Sequence, residues 1–250
     1  MGAVRAEFLK LRRSLSWAVV VLLPVAMVFS GVVNTFVAGG QPEDGWHTVW
    51  IRSIVFHGLF PLAVGVAILA SLVWRVEHRG GNWNALMSGP TPSVRIVVAK
   101  AIVVTVLALA MQAVLVTTVV VVGKFVFGLP GVLPGAYVAV SVLIVVACLP
   151  LVVLQSGLSM LTRSFATPVA VAFLGAGVSI VLLLAEFEAA LFVVPYSLVG
   201  RATQLGTATF ADTGTVTSGD VVSLVIAATL LTGVLVFGTS VLLDRRDTHT

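Results

Sequence analysis

Six apolar runs follow one another along the chain, at about residues 15–36, 53–74, 101–127, 135–162, 168–185 and 221–243, and between them the sequence turns polar. Each run comes close to or exceeds the roughly 20 apolar residues that carry a helix across about 30 Å of hydrocarbon. The runs are long and unbroken, without the roughly ten-residue alternation of lipid-facing strands, so helices are predicted rather than a barrel. The expected fold is therefore all-α: a polytopic membrane protein with six transmembrane helices, built as a single transmembrane domain over residues 1–250. Pro24, Pro61 and Pro150 fall inside runs. Each removes a backbone donor, and kinks are expected there.

The segments between the runs sort into three kinds. MGAVRAEFLKLRRSL, residues 1–15, sets Val4, Phe8, Leu11 and Leu15 on one face, with Arg5, Glu7, Lys10, Arg12 and Arg13 mostly elsewhere. That spacing predicts an amphipathic helix lying on the membrane surface, either beside a partner or as a plain basic anchor. The run that follows is too long for the apolar core of a signal peptide and reads as an uncleaved first helix. Residues 38–52, with Trp46 and Trp50, read as a loop at the depth of an aromatic belt. Residues 186–220 begin EFEAALFVVPYSLVG, too short to span and broken by Pro195, and are expected to form a re-entrant or interfacial helix pair.

Composition strengthens this picture. Apolar residues make up 59% of the 250 and charged residues 10%, against about 45–50% and about 25% in soluble domains. The basic residues also have an address. If the N-terminus is inside, eleven of the 14 Lys and Arg lie in inward-facing pieces, and only Arg52, Lys124 and Arg201 face out. Both termini are thus expected in the cytoplasm, and the net charge of +4 reflects topology. No soluble domain with a basic face is present, so nucleic acid is not an expected partner.

Catalytic constellations are missing. The spans hold no ionisable group near their middles. His57, near the outer end of the second run, reads as a hydrogen-bonded structural histidine. None of His47, His57, His78 and His249 has a second histidine four residues away, so no zinc-protease motif exists. Glu43, Asp44 and His47 are a weak candidate for a cation, and Cys148 is a lone apolar-run cysteine. The nearest approach to a phosphate loop, VVVVGKF at 119–125, lacks the first glycine and the hydroxyl residue. Energy for uphill movement would have to come from another polypeptide, and no catalytic residue, cofactor or metal site is assigned to this chain.

One polar interruption, RVEHRGGNWNALMSGPTPSVR at 75–95, remains to be explained. Asn82 fits a helix N-cap, Trp83, Leu86 and Met87 share one face, and Gly89, Pro90 and Pro92 end the piece. Such a segment is either a docking knob for a cytoplasmic protein or a loop resting on lipid.

Glu77, Gly81, Trp83, Leu86, Ser88, Pro90, Arg95 and Lys100 form a pattern that resembles the permease subunits of ABC type-2 transporters, in particular bacterial lantibiotic-immunity and antimicrobial-peptide or multidrug exporters. AEFLKLRRSLSW, with Glu7, Lys10 and Trp17, and VVPYSLVGR, with Pro195, are similar to further pieces of those permeases. Tyr196 departs from the tryptophan more common there. The resemblance implies a permease that pairs with a sibling or a second copy and with two cytoplasmic ATP-binding subunits, which supply ATP and Mg. It implies a coupling helix between spans two and three, with Glu77, Arg79, Trp83, Leu86 and Met87 docking the ATPase. It also implies an external gate at Pro195 and Tyr196, and a path lined by spans one, two and five. Independent of the resemblance, charge-free spans suit a hydrophobic or amphipathic substrate, and small residues such as Gly175, Gly177 and Ser179 permit close packing between subunits. A non-transporting scaffold or sensor that docks a signalling protein is the alternative.

Overall fold

The computed structural model describes residues 2–11, 14–79, 83, 91–210 and 212–247. Its elements are all helices: α1 (Gly2–Leu11), α2 (Ser16–Val37), α3 (Gly45–Leu59), α4 (Pro61–Arg75), α5 (Ser93–Phe125), α6 (Gly135–Leu161), α7 (Ala166–Leu184), α8 (Glu188–Val193), α9 (Pro195–Gln204) and α10 (Ser218–Asp247). No strand occurs among the described residues. Five helices, α2, α5, α6, α7 and α10, are individually long and apolar enough to cross a membrane, and α3 with α4 makes a sixth crossing if taken together. These apolar helices leave large faces uncovered. Only 11% of the apolar window of α10 and 28% of that of α2 is buried inside the protein, as expected where lipid tails rather than water meet the surface. Several hydroxyls within the crossings are satisfied locally. Thr35, Thr117, Thr118, Thr229, Thr232 and Ser240 each donate to the carbonyl four residues back.

The second crossing differs from the single run expected at 53–74. Its helix starts at Gly45, so residues 45–52 are helical rather than loop, and it breaks by 53° where α3 gives way to α4. Pro61 is the cause: it has no N–H to continue the ladder, and as the first residue of α4 it costs that helix nothing. Pro24 and Pro150, in contrast, sit inside continuous helices, α2 and α6. The break moves His57 away from the outer end. It lies in the last turn of α3, fully buried, and among the described residues neither ring nitrogen has a hydrogen-bond partner, which corrects the expectation of a satisfied histidine.

The short helices of the 186–220 segment form the expected pair. Pro195 starts α9, which packs against α3, α6 and α7 and is buried along most of its length. Glycine makes its seat. A Cβ on Gly175 of α7 would stand 2.5 Å from the Tyr196 ring, one on Gly200 would stand 2.8 Å from Ser179 Oγ, and one on Gly58 of α3 would overlap Thr203. Gly175 and Ser179, read from the sequence as an intersubunit surface, are thus occupied by the chain's own α9; Gly177 meets Phe60, at 4.0 Å. After α9 the chain is fastened by Asp212, whose carboxylate accepts from the N–H groups of Thr207, Ala208 and Gly214 and from Arg201. Thr217 and Asp220 then bond reciprocally as a capping box at the start of α10.

Candidate functional site

At one end of the bundle α1, the end of α4 and the start of α5 converge on a cluster of four charges. Lys10 donates to Glu7 at 2.8 Å and to Glu77 at 2.6 Å. Lys100 donates to Glu7 at 2.9 Å and to Glu77 at 3.0 Å. Two carboxylates and two ammoniums sum to zero, and this neutrality lets them lie in a dry place. Lys100 is 1% exposed and among the largest fully buried side chains of the protein. Its ammonium also lies 4.7 Å from the centre of the Trp74 ring, a cation–π contact strengthened by desolvation.

The cluster explains where α1 sits. Glu7, at 8% exposure, faces the bundle together with Leu11, whereas Leu15, placed on the apolar face from sequence, is exposed. Lys100 enters the fold because α5 begins at Ser93, eight residues ahead of the predicted run, and carries this side chain inward in its second turn. Burial by itself pushes the Glu77 carboxyl up, but the Lys100 and Lys10 ammoniums outweigh it and hold the group below the usual carboxylate value. For Lys10, burial lowers and the carboxylates of Glu7 and Glu77 raise, with a net shift upward.

Around the charges lies an aromatic and hydroxyl layer. Trp74 Nε1 donates to Ser156 Oγ at 2.7 Å, and His78 Nε2 pairs with the Ser159 carbonyl at 2.8 Å. The Trp83 ring stacks on His78, with 5.5 Å between centroids and 8° between planes, and tilts against Trp74 at 6.3 Å. Trp83 is thereby fixed to α4 and, through His78 and Trp74, to α6. Of the sequence-predicted docking residues, Glu77 and Trp83 are brought together in this assembly, Arg79 is exposed beside it, and Leu86 and Met87 lie outside the described residues. Glu77 has its carboxylate turned inward onto two lysines. Glu7, Lys10 and Lys100 stand in the quoted motifs, yet their convergence was not foreseen. The one signal in the sequence was three charged groups bordering apolar runs at the same end, where each needs an opposite partner.

The predicted gate residues lie elsewhere, on α9. Pro195 is its first residue, and Tyr196 is buried with its hydroxyl accepting a 2.7 Å bond from Gln155 Nε2 of α6. Its carbonyl accepts from Ser179 of α7 at 3.3 Å. Three helices are thus joined at this residue. As for the weak cation candidate, His47 Nδ1 is instead 2.8 Å from the Tyr137 hydroxyl. Among the described residues no group of three or more His, Cys, Asp and Glu is arranged to hold a metal.

A bundle of apolar helices with bare, lipid-compatible sides and one charged end built from three separated segments defines a multi-pass membrane protein. The sequence matches the description "ABC-2 family transporter protein" over residues 3–179, and the chain belongs to that family, the permeases of ABC transporters. A comparison with curated proteins finds no match. Membership brings a general implication: permeases of this kind work with an ATP-binding subunit.

Proposed function

We propose that this chain is the membrane subunit of an exporter that removes a hydrophobic or amphipathic compound, such as an antimicrobial peptide, a lantibiotic or a drug, from the bacterial plasma membrane or cell. The charged end faces the cytoplasm, with both termini. There two copies of a cytoplasmic ATP-binding subunit, which hold the ATP and Mg, drive a pair of permeases made of this chain with itself or with a sibling. The family match supports the transporter class. The absence of charge along the lipid-exposed crossings supports the substrate chemistry, because a sugar or ion would need polar groups at mid-depth.

The single observation that carries the coupling mechanism is the neutral cluster of Glu7, Lys10, Glu77 and Lys100. It joins α1, α4 and α5 directly behind Trp83, so a push delivered to the segment around Trp83 moves three helices together. Arg79, Trp83, Leu86 and Met87 make contact with the ATPase. Glu77 acts through the cluster, as a positioning residue that keeps the docking segment rigid. At the far end α9, pinned by Tyr196, forms the external gate, and the elbow at Pro61 lets α3 follow the gate while α4 follows the ATPase.

The test is copurification with the ATP-binding subunit and measurement of ATP turnover with and without candidate substrates. Trp83→Ala is expected to abolish substrate-stimulated turnover with insertion unchanged. Full stimulation in that variant would reject docking at this segment, and activity of the chain purified without any ATPase would reject the mechanism as a whole.

A further inference from the structure

Next to the pocket lined by Glu7 and Lys10, with which it shares Arg75 and Arg79, a cleft of about 420 Å³ opens at the same end of the bundle. Its walls carry Arg75, Arg79 and His78 from the end of α4 and Arg163 from the turn between α6 and α7, with Ser159, Thr162 and Phe165 beside them. All three arginines are exposed, and no ion pair to any of them exists among the described residues. Among the described residues no carboxylate lines the cleft. Three guanidiniums facing one space repel one another unless an anion lies between them, and planar forks with neighbouring hydroxyls suit phosphate oxygens in particular.

We propose that this cleft binds the phosphate headgroup of an anionic phospholipid drawn from the surrounding leaflet. Position and surroundings favour a lipid over a soluble anion. The cleft lies where the apolar helices α6 and α7 meet at the Thr162–Phe165 turn, and Phe165 on its rim stands at the start of α7. From there Ala170, Phe173, Leu174, Val178 and Val181 present an exposed apolar surface along α7, a track for acyl chains. The start of α7 also has no side-chain cap, which leaves the positive end of that helix beside the phosphate position. Basic recesses between crossings on the cytoplasmic side are a known physical solution for anionic headgroups. Bound there, the lipid ties the α6–α7 turn to the end of α4, next to His78 and the stacked Trp83.

The experiment reconstitutes the chain in vesicles of phosphatidylcholine alone or mixed with phosphatidylglycerol, extracts it gently, and measures phosphatidylglycerol retained per chain by native mass spectrometry. Wild type is expected to enrich phosphatidylglycerol over its bulk fraction. Arg163→Gln should lower retention about fivefold and Arg75→Gln/Arg79→Gln/Arg163→Gln more than tenfold, whereas the three Arg→Lys changes should keep most of it. Retention unchanged in Arg163→Gln, which alters only an exposed turn, would overturn the proposal even if the triple variant fails to fold. A parallel arm adds inorganic phosphate to protein in phosphatidylcholine alone. Thermal stabilisation there equal to that given by phosphatidylglycerol would assign the cleft to a soluble anion and overturn the lipid assignment.

Discussion

Neutralising Glu77 isolates the value of the charge cluster. In Glu77→Gln the shape is kept and one negative charge is lost, so Lys100, 1% exposed, and Lys10, with a side chain 36% exposed, are left to share Glu7. Stripping one partner from a buried pair costs about 3–5 kcal/mol. Glu7 stays at 2.9 Å from Lys100, and Lys10 can turn toward water, which places the expected loss at or somewhat below that lower bound, about 2–3 kcal/mol. Lys100→Met leaves two carboxylates on Lys10 and should cost a similar amount. The double variant Glu77→Gln/Lys100→Met keeps a neutral Glu7–Lys10 pair and should be better than the sum of the singles by about 2 kcal/mol. Denaturant unfolding in detergent micelles, followed through tryptophan emission, measures all four corners of the cycle, with Trp74 directly over the perturbed ammonium. Additivity within about 0.5 kcal/mol would show that the two groups do not sense each other and would refute the cluster as a structural unit.

Acid should loosen the same junction. The Glu77 carboxyl is held below its ordinary value, so its contribution is complete above the ordinary carboxylate pKa of about 4.3 and fades as pH falls through the lower folded value. Lys10 is raised, so its share is complete below about 10.4 and is lost only as pH rises beyond that. A flat stability profile between these limits checks both signs, and a midpoint near neutrality would contradict them. Gly175→Leu should displace the Tyr196 ring and with it α9, abolishing transport while the chain still inserts; normal transport would remove α9 from the gate. Gly58→Ala, crowding Thr203, should cost about 1–3 kcal/mol in the same unfolding assay. For sidedness, Thr215→Cys should react with an impermeant thiol reagent in whole cells and Ser164→Cys should not, against little background from the buried Cys148; reversed labelling would invert the topology.

Crossing helices were legible because lipid imposes one crude demand, length with low polarity, and five of the six apolar runs return within a few residues of their expected ends, apart from the earlier start of α5. The second crossing was not, since a mid-run Pro61 reads the same whether its helix bends, as here, or continues, as at Pro24 and Pro150. What decides is whether neighbours hold the two halves apart, and α9 wedged against Gly58 is visible only in three dimensions. The Glu7–Lys100 contact joins residues 93 positions apart, beyond any helical period. Gly175 and Ser179 show the opposite failure. Their spacing correctly announced close approach and said nothing of whether the visitor would be another subunit or the chain's own segment.

The separation of Glu7 from Lys100 also has a meaning during biosynthesis. Until the ribosome has made the start of α5, the two acidic side chains at this end have only Lys10 between them, so the amphipathic N-terminal helix has no reason to leave the headgroup layer. Arrival of Lys100 supplies the missing counterion and draws α1 onto the bundle. The permease thus acquires its finished charged face only after its third crossing has begun to insert, and nascent chains that stop short of that point should leave α1 open to protease.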